Sequence, residues 1–160
     1  MSTIEELLIR VEAATGPDRE LDIDLCLALN YIAYDDAPMN LRRSQDDPGW
    51  LDYECEEAGK LVDCTDKPPE LSHTIDAALA LVERELPGWR RRVTIETHKV
   101  TADLYLLDTD FTGKFVMKRF ESADAMIAPL AILAALLRAL RQQLYVRYPA
   151  KIEHDRPGEP

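Results

Sequence analysis

Glycine is scarce, with six in 160 residues. There is no GxGxxG, no GxxxxGK[ST] and no GxSxG, so neither a phosphate-cradling loop nor a nucleophile elbow can be read from the chain. Cysteine is equally sparse: three residues, an odd number, fit reduced thiols better than a disulfide framework. No apolar run approaches the ~18–20 residues of a membrane span. The amino terminus also lacks a basic-then-apolar leader pattern. The expectation is a protein of the cytosol in which it is made, with no membrane partner. Basic charge is the last deficit. Lys and Arg number 19 against 30 Asp and Glu, a net charge of −11. The imbalance is uneven: residues 1–70 hold 18 acidic and 6 basic side chains, net −12, whereas residues 71–160 hold 12 and 13, net +1. Such a balance argues against direct nucleic-acid binding, whose affinity comes largely from neutralised phosphates. It leaves solubility, or an acidic face that meets a basic partner.

Apolar residues make up 46% of the chain, enough to exclude wholesale disorder. At this length a single domain buries roughly 70% of its unfolded surface. A first helix is expected from the capping boxes at Ser2 and Thr3 to about Ala14, where Gly16-Pro17 closes it. A second runs from Asp18 or Arg19 to about Ile32. The clearest helix lies in Leu71–Trp89, with Ile75, Leu79, Val82 and Leu86 on one stripe and Ser72 or Thr74 as its cap. Pro87-Gly88 stops it. A last helix starts near Pro129 and turns Ile132, Leu133, Leu136, Leu137, Leu140 and Leu144 inward.

Three strands are expected between these last two helices, around Val93–Thr97, Val100–Leu107 and Phe115–Phe120. Turns at His98-Lys99 and Asp108–Gly113 favour an antiparallel meander. Leu107, Tyr105, Val116 and Phe120 predict partial cover on its second face. Between Asp35 and Glu70 the pattern breaks. A hairpin of Trp50–Cys55 and Lys60–Cys64, turning through Glu56–Gly59, competes with an exposed acidic excursion anchored by Trp50 or Tyr53. The expected fold is therefore α+β, an antiparallel β-sheet of about three to five strands sandwiched by about four helices. It forms a single domain over residues 1–148, with an acidic excursion at about 36–70. A polar, flexible tail occupies 149–160.

Three blocks, TIEELLIRVEAATGPDRELDIDLCLAL, SHTIDAALALVERELPGW and PLAILAALLRAL, together resemble the phage ABA sandwich domain family. The middle helix is longer here, with ERE before Pro87-Gly88-Trp89, and the acidic stretch from Asp46 to Glu70 has no counterpart in that pattern. The resemblance implies a sheet sandwiched by helices and a phage or prophage genome, hence a host cell cytosol. It carries over no catalytic residue.

Sites must then be sought in the chain's own residues. Asp46, Asp47, Asp52, Glu54, Glu56, Glu57 and Asp63, interleaved with Trp50 and Tyr53, form the candidate protein-interaction surface, since aromatic anchors ringed by charge suit an interface. Arg90, Arg91, Arg92, Lys114, Lys118 and Arg119 form a candidate anionic-ligand patch that also fits edge-protecting charge. Cys55, Cys64 and His73 have the one metal-like spacing, though wider than zinc pairs require. Ser72, His73 and Asp76 hold the residue types of a hydrolytic triad. Adjacent side chains at a helix start diverge, and Ser72 reads better as a cap. Asp18, Glu20, Asp22 and Asp24 read as a solvated face, acids favoured by the helix dipole.

No cofactor is expected. The expected function is that of a non-enzymatic phage accessory protein binding a host or phage macromolecule, with inhibition of a host defence system as one form. The alternatives are a small anionic-ligand (nucleotide) binding or sequestering protein, and an acidic nucleic-acid mimic. The expected partner is a host or phage protein, and a homo-oligomer remains open.

Overall fold

A computed structural model describes residues 2–33, 38–109 and 112–147. Its elements run α1 (Ile4–Ala13), α2 (Arg19–Leu29), β1 (Met39–Arg43), β2 (Leu51–Glu57), β3 (Lys60–Asp66), α3 (Ile75–Glu85), β4 (Arg90–Ile95), β5 (Val100–Thr109), β6 (Phe115–Ala125) and α4 (Ala128–Arg147). The α+β class holds, with four helices and antiparallel strands. The strands divide into two three-stranded sheets, ordered β1-β2-β3 and β4-β5-β6. The expected tail at 149–160, the first residues of the acidic segment and the side chain of Leu144 lie outside the described residues.

The organising element is α4. Leu130, Ala131, Ile132, Leu133, Ala134, Ala135, Leu136, Leu137 and Ala139 are all buried, so nearly its whole circumference is covered. It touches β4, β5 and β6 on one side and α1 and α3 on the other. Alanines let these neighbours approach closely, while the leucines fill the space between them. Two arginines hold α1 to it: Arg138 donates to Glu12, and Arg141 to Glu5.

Local chemistry explains the helix ends. Thr3 and Glu6 form a reciprocal capping box on α1. Asp18 caps α2 by accepting from the Leu21 amide. The helix ends three residues earlier than its periodicity predicts, because Asn30 takes a left-handed conformation at φ 50°. Arg84 of α3 donates to the carbonyls of Leu29 and Asn30 there and stacks on Tyr31, tying α3 to the end of α2. The α3 cap is Thr74, whose hydroxyl accepts from the Ala77 amide. Its buried face is Ala78, Leu81, Val82 and Leu86, whereas Ile75 is exposed. Ala78 and Leu81, which widen the stripe the periodicity predicts, are thus inside with Val82 and Leu86, and Ile75 is the member that falls outside. At Pro87-Gly88 the glycine adopts φ 81°, and the Trp89 amide returns to the Leu86 carbonyl.

The expected hairpin forms. Met39–Arg43, Leu51–Glu57 and Lys60–Asp66 form one sheet, whose third strand is largely exposed. Strands β2 and β3 pair from Leu51↔Asp66 to Glu57↔Lys60. Ala58 and Gly59 both take positive φ in the two-residue turn whose twist suits antiparallel strands. Strand β1 pairs with β2, an element the sequence pattern does not reveal. In the second sheet, β6 extends through Ser122 and Ala123, well beyond Phe120. Its inner face, Val100, Ala102, Leu104 and Ala123, is buried under α4. Of the residues expected to cover the second face in part, Tyr105 and Leu107 are half-buried, whereas Val116 and Phe120 are exposed, as is Phe115.

Candidate functional site

Alternation along β2 sorts its side chains into two sets. Leu51 and Tyr53 point inward and are buried, with Cys55 beside them. Tyr53 is therefore not part of the expected interaction surface. Its hydroxyl donates to Asp66 at 2.7 Å. Burial, and then that carboxylate, push the phenol's pKa well above its usual value. Asp52, Glu54 and Glu56 take the outward positions. The β3 register adds Thr65 opposite Asp52, Asp63 opposite Glu54 and Leu61 opposite Glu56. Asp52 accepts from the Thr65 hydroxyl at 2.9 Å, and Glu54 from the Asn40 amide at 2.8 Å. Arg42 pairs in register with Asp52, and its guanidinium donates to the Asn40 carbonyl. The structure thus brings Asp52, Glu54, Glu56 and Asp63 onto one solvent-facing surface. Glu54 and Asp63 stand directly opposite each other, an arrangement that costs stability in a sheet.

The other members of the sequence-predicted surface lie at its margins. Glu57 pairs with Lys60 at the hairpin tip. Asp46 and Asp47 are exposed in the β1–β2 turn, where Asp47 accepts from the Gly49 amide and its carbonyl from the Trp50 amide. Trp50 is half-buried at the end of the acidic face, and the Lys67 ammonium lies 5.3 Å from its ring centroid. Beside that ring opens a cleft of about 410 Å³ lined by Arg19, Ala33, Trp50, Asp66, Lys67, Pro68, Pro69 and Glu70. Arg19 donates to the Pro68 carbonyl at 2.7 Å and so sets the cleft's back wall. Residues 66–70 carry no periodic signal, so sequence reasoning had no means of assembling this cleft. The Pro68-Pro69 pair is the one local hint of a rigid wall.

The basic candidates do not converge on a single surface. Arg90 and Arg92 lie on the outer face of the β4–β6 sheet, in register with Tyr105 and Asp103. Arg91 points to the other face, where it pairs with Glu83 of α3. Arg92 donates two hydrogen bonds to one oxygen of the buried Asp103, whose other oxygen accepts from Ser122. Arg90 stacks on Phe115 at 5.9 Å. Lys118 pairs with Asp108 at 3.0 Å. Lys114 is exposed just before β6, and Arg119 is exposed within it, in register with Leu106. Arg91, Arg92 and Lys118 are therefore already matched by carboxylates.

The remaining constellations resolve differently from their sequence readings. Cys55 and Cys64 are half-buried thiols not joined in a disulfide, and His73 is exposed in the turn before α3. Among the described residues no group of three His, Cys, Asp or Glu side chains is placed to hold a metal ion. Ser72 does not cap α3. It is fully buried, its hydroxyl accepts from the Asp18 amide at 2.8 Å and donates to the Asp18 carbonyl, and its own amide donates to Asp22 at 2.6 Å. The triad reading fails on the same geometry, since Asp76 and His73 are exposed on the helix start. Nor is Asp18–Asp24 a solvated face: Asp22 is 2% exposed. Burial raises its carboxyl to about 6, against the opposing hydrogen bonds from Ser72. Burial would also raise Asp24, but hydrogen bonds from Arg10 and Arg43 outweigh it and hold that carboxyl below its usual range.

No helix among the described residues is long and apolar enough to cross a membrane. Compared with known proteins, the chain matches no family model, no curated protein and no solved structure.

Proposed function

We infer that this chain is a non-enzymatic binding protein whose acidic β1–β3 face docks on a basic surface of a macromolecular partner. The observation that carries this reading is the alignment of Asp52, Glu54, Glu56 and Asp63 on one open face, with Glu54 facing Asp63 across the strands. Like charges held at cross-strand distance cost the isolated sheet stability. A cationic partner relieves that cost on binding and is steered to the site by the same field. The exposed Leu61 at the row's end supplies apolar contact. On the resemblance drawn from the three sequence blocks, the setting is a phage or prophage genome and the partner a host or phage protein. Interference with a host defence system is one form of such binding.

A row of carboxylates at every second residue, roughly 6.8 Å apart along the strand, also favours the nucleic-acid mimic as a specific version of this reading, with a phosphate-binding protein surface as the partner. Anionic-ligand binding at the Arg90–Arg119 region has less support, because Arg91, Arg92 and Lys118 are spent on Glu83, Asp103 and Asp108.

The test is affinity purification with the wild-type chain and with the Asp52→Asn, Glu54→Gln, Glu56→Gln, Asp63→Asn variant. The wild type is expected to retain a basic protein in a salt-sensitive manner, and the neutralised variant to lose it. Equal retention by both chains overturns the reading.

A further inference from the structure

We propose that the cleft beside Trp50 is the anchor pocket of this acidic face, and that its occupant is a cationic side chain, an arginine or lysine, on a basic segment of the partner. The proposal rests on the reading above and names the chemistry by which the face recognises its partner.

The register leads to the cleft. Leu51 pairs with Asp66, so the next outward-facing positions along the two strands are Trp50 and Lys67, and these two meet ring to ammonium. Trp50 therefore ends the row that runs through Asp52, Glu54 with Asp63, and Glu56. From Trp50 to Glu56 the strand spans roughly 20 Å. A short extended basic segment covers that length. Its cations fall beside the carboxylates, and one of them reaches the indole.

The charged groups of the lining balance, Arg19 and Lys67 against Asp66 and Glu70, so the preference for a cation comes from the Trp50 ring and the acidic face beside it. The indole face attracts positive charge through its quadrupole. Asp66, which accepts from Tyr53, and Glu70 are among the lining residues, and the two prolines offer an apolar wall against which a long aliphatic stem packs. A cleft of about 410 Å³ is within the range of ligand pockets and accommodates one side chain with its hydration. The surrounding half of the chain carries a net charge of −12, which repels an anion before it arrives.

Lys67 already shows what the ring accepts. It is exposed, its stem is flexible, and its ammonium occupies the position an incoming cation would take. It acts as an internal occupant that the partner displaces. A guanidinium is the stronger competitor, because it is planar, weakly hydrated and stacks on an aromatic face. Arg19 does not compete for the ring, since it is tied to the Pro68 carbonyl.

The internal-occupant model makes a prediction of unusual sign. The probe is a fluorescently labelled hexa-arginine peptide, titrated into the full chain at low salt and at about 0.15 M salt. Removal of Lys67 by Lys67→Ala is expected to tighten binding by roughly three- to tenfold. Lys60→Ala makes the same charge change at the hairpin tip and is expected to alter affinity by no more than about twofold. Trp50→Leu keeps an apolar wall and removes the ring, and is expected to weaken binding by about tenfold. Trp50→Phe is expected to retain most of it. If Trp50→Leu fails to fold by circular dichroism, the exposed Lys67 and Lys60 variants carry the comparison alone. Equal effects of Lys67→Ala and Lys60→Ala, or wild-type affinity in Trp50→Leu, overturn the anchor pocket. If those results come with lost binding in Asp52→Asn, Glu54→Gln, Asp63→Asn, the acidic-face reading stands without the pocket. If the wild type shows no salt-sensitive binding to the peptide, both fall.

Discussion

The two sheets have the same strand order and differ in how their carboxylates are paired. Each has three consecutive antiparallel strands with one face turned to the helices. In the β4–β6 sheet the carboxylates have cations beside them: Arg92 on Asp103 at 2.7 Å, Lys99 on Asp124 at 3.3 Å, Lys118 on Asp108 at 3.0 Å. In the β1–β3 sheet Glu54 faces Asp63, with Asp52 and Glu56 on the same surface. The contrast extends into the interior. The buried Asp103 receives two hydrogen bonds from Arg92 and one from Ser122. The buried Asp22 is held by Ser72, and among the described residues no cation forms an ion pair with it. Cations of the second half pair with carboxylates of their own sheet and, through Arg138 and Arg141, with Glu12 and Glu5 of α1. In the first half Glu6 and Asp18 cap helices, and Glu5, Glu12, Glu20 and Asp24 pair with arginines, whereas no ion pair among the described residues involves Asp52, Glu54, Glu56 or Asp63.

The largest test of that contrast is Asp22→Asn. The native state raises this carboxyl to about 6 from an ordinary value of 3.8, so it binds its proton more tightly than the unfolded chain does. Its contribution is therefore most favourable at low pH and is lost as pH rises through 6. At pH ~8 the charged form costs on the order of 3 kcal/mol. Asparagine keeps an acceptor for the Ser72 amide without the charge. Urea unfolding at pH ~8 should show the variant more stable by up to about 3 kcal/mol, with the advantage shrinking toward pH ~4. A difference independent of pH would remove the account of Asp22.

Asp103→Asn probes the opposite arrangement, a buried carboxylate that is fully served. It weakens the charge-assisted bonds to Arg92 and should destabilise the protein by about 1.5–3 kcal/mol in the same assay. A neutral outcome would mean that the second sheet does not depend on its paired charges. The smallest effect is expected from Asp63→Asn, which relieves the repulsion with Glu54. Thermal unfolding should show a gain of about 0.2–1 kcal/mol at low salt, fading as salt is added. A loss of stability would erase the difference between the two sheets.

Much of the local structure was legible in the residues. The capping box at Thr3–Glu6, the Pro87-Gly88 stop and the β2–β3 hairpin are short-range features, each decided by a few neighbouring side chains and their backbone preferences. Strand β1 was not legible. Its five residues MNLRR show no alternation strong enough to stand out, and it exists because Arg43 reaches Glu20 and Asp24 on α2 while its backbone pairs with β2. Ser72 misled for a related reason. It has the right type and place for a helix cap, yet a partner 54 positions away in the chain, Asp18, claims its hydroxyl, and Thr74 takes the cap. The acidic residues of the candidate site were visible as a composition. Which of them share a face was not, because that depends on strand register, and a slip of one residue would invert it.

The amino-acid sequence by itself determined the α+β class, the positions of the helix and turn boundaries to within a few residues, and the concentration of negative charge in the first seventy positions. These follow from local periodicity, capping chemistry and simple counting. Only the tertiary structure decided that the strands divide into two sheets, that the first half of α4 is buried around nearly its whole circumference, that Tyr53 and Asp22 lie inside, and that Trp50 and Lys67 meet at the end of a carboxylate row. Each of those depends on contacts between residues far apart in the chain, and burial and pairing at such distances are fixed by the packing of whole elements rather than by any stretch read alone.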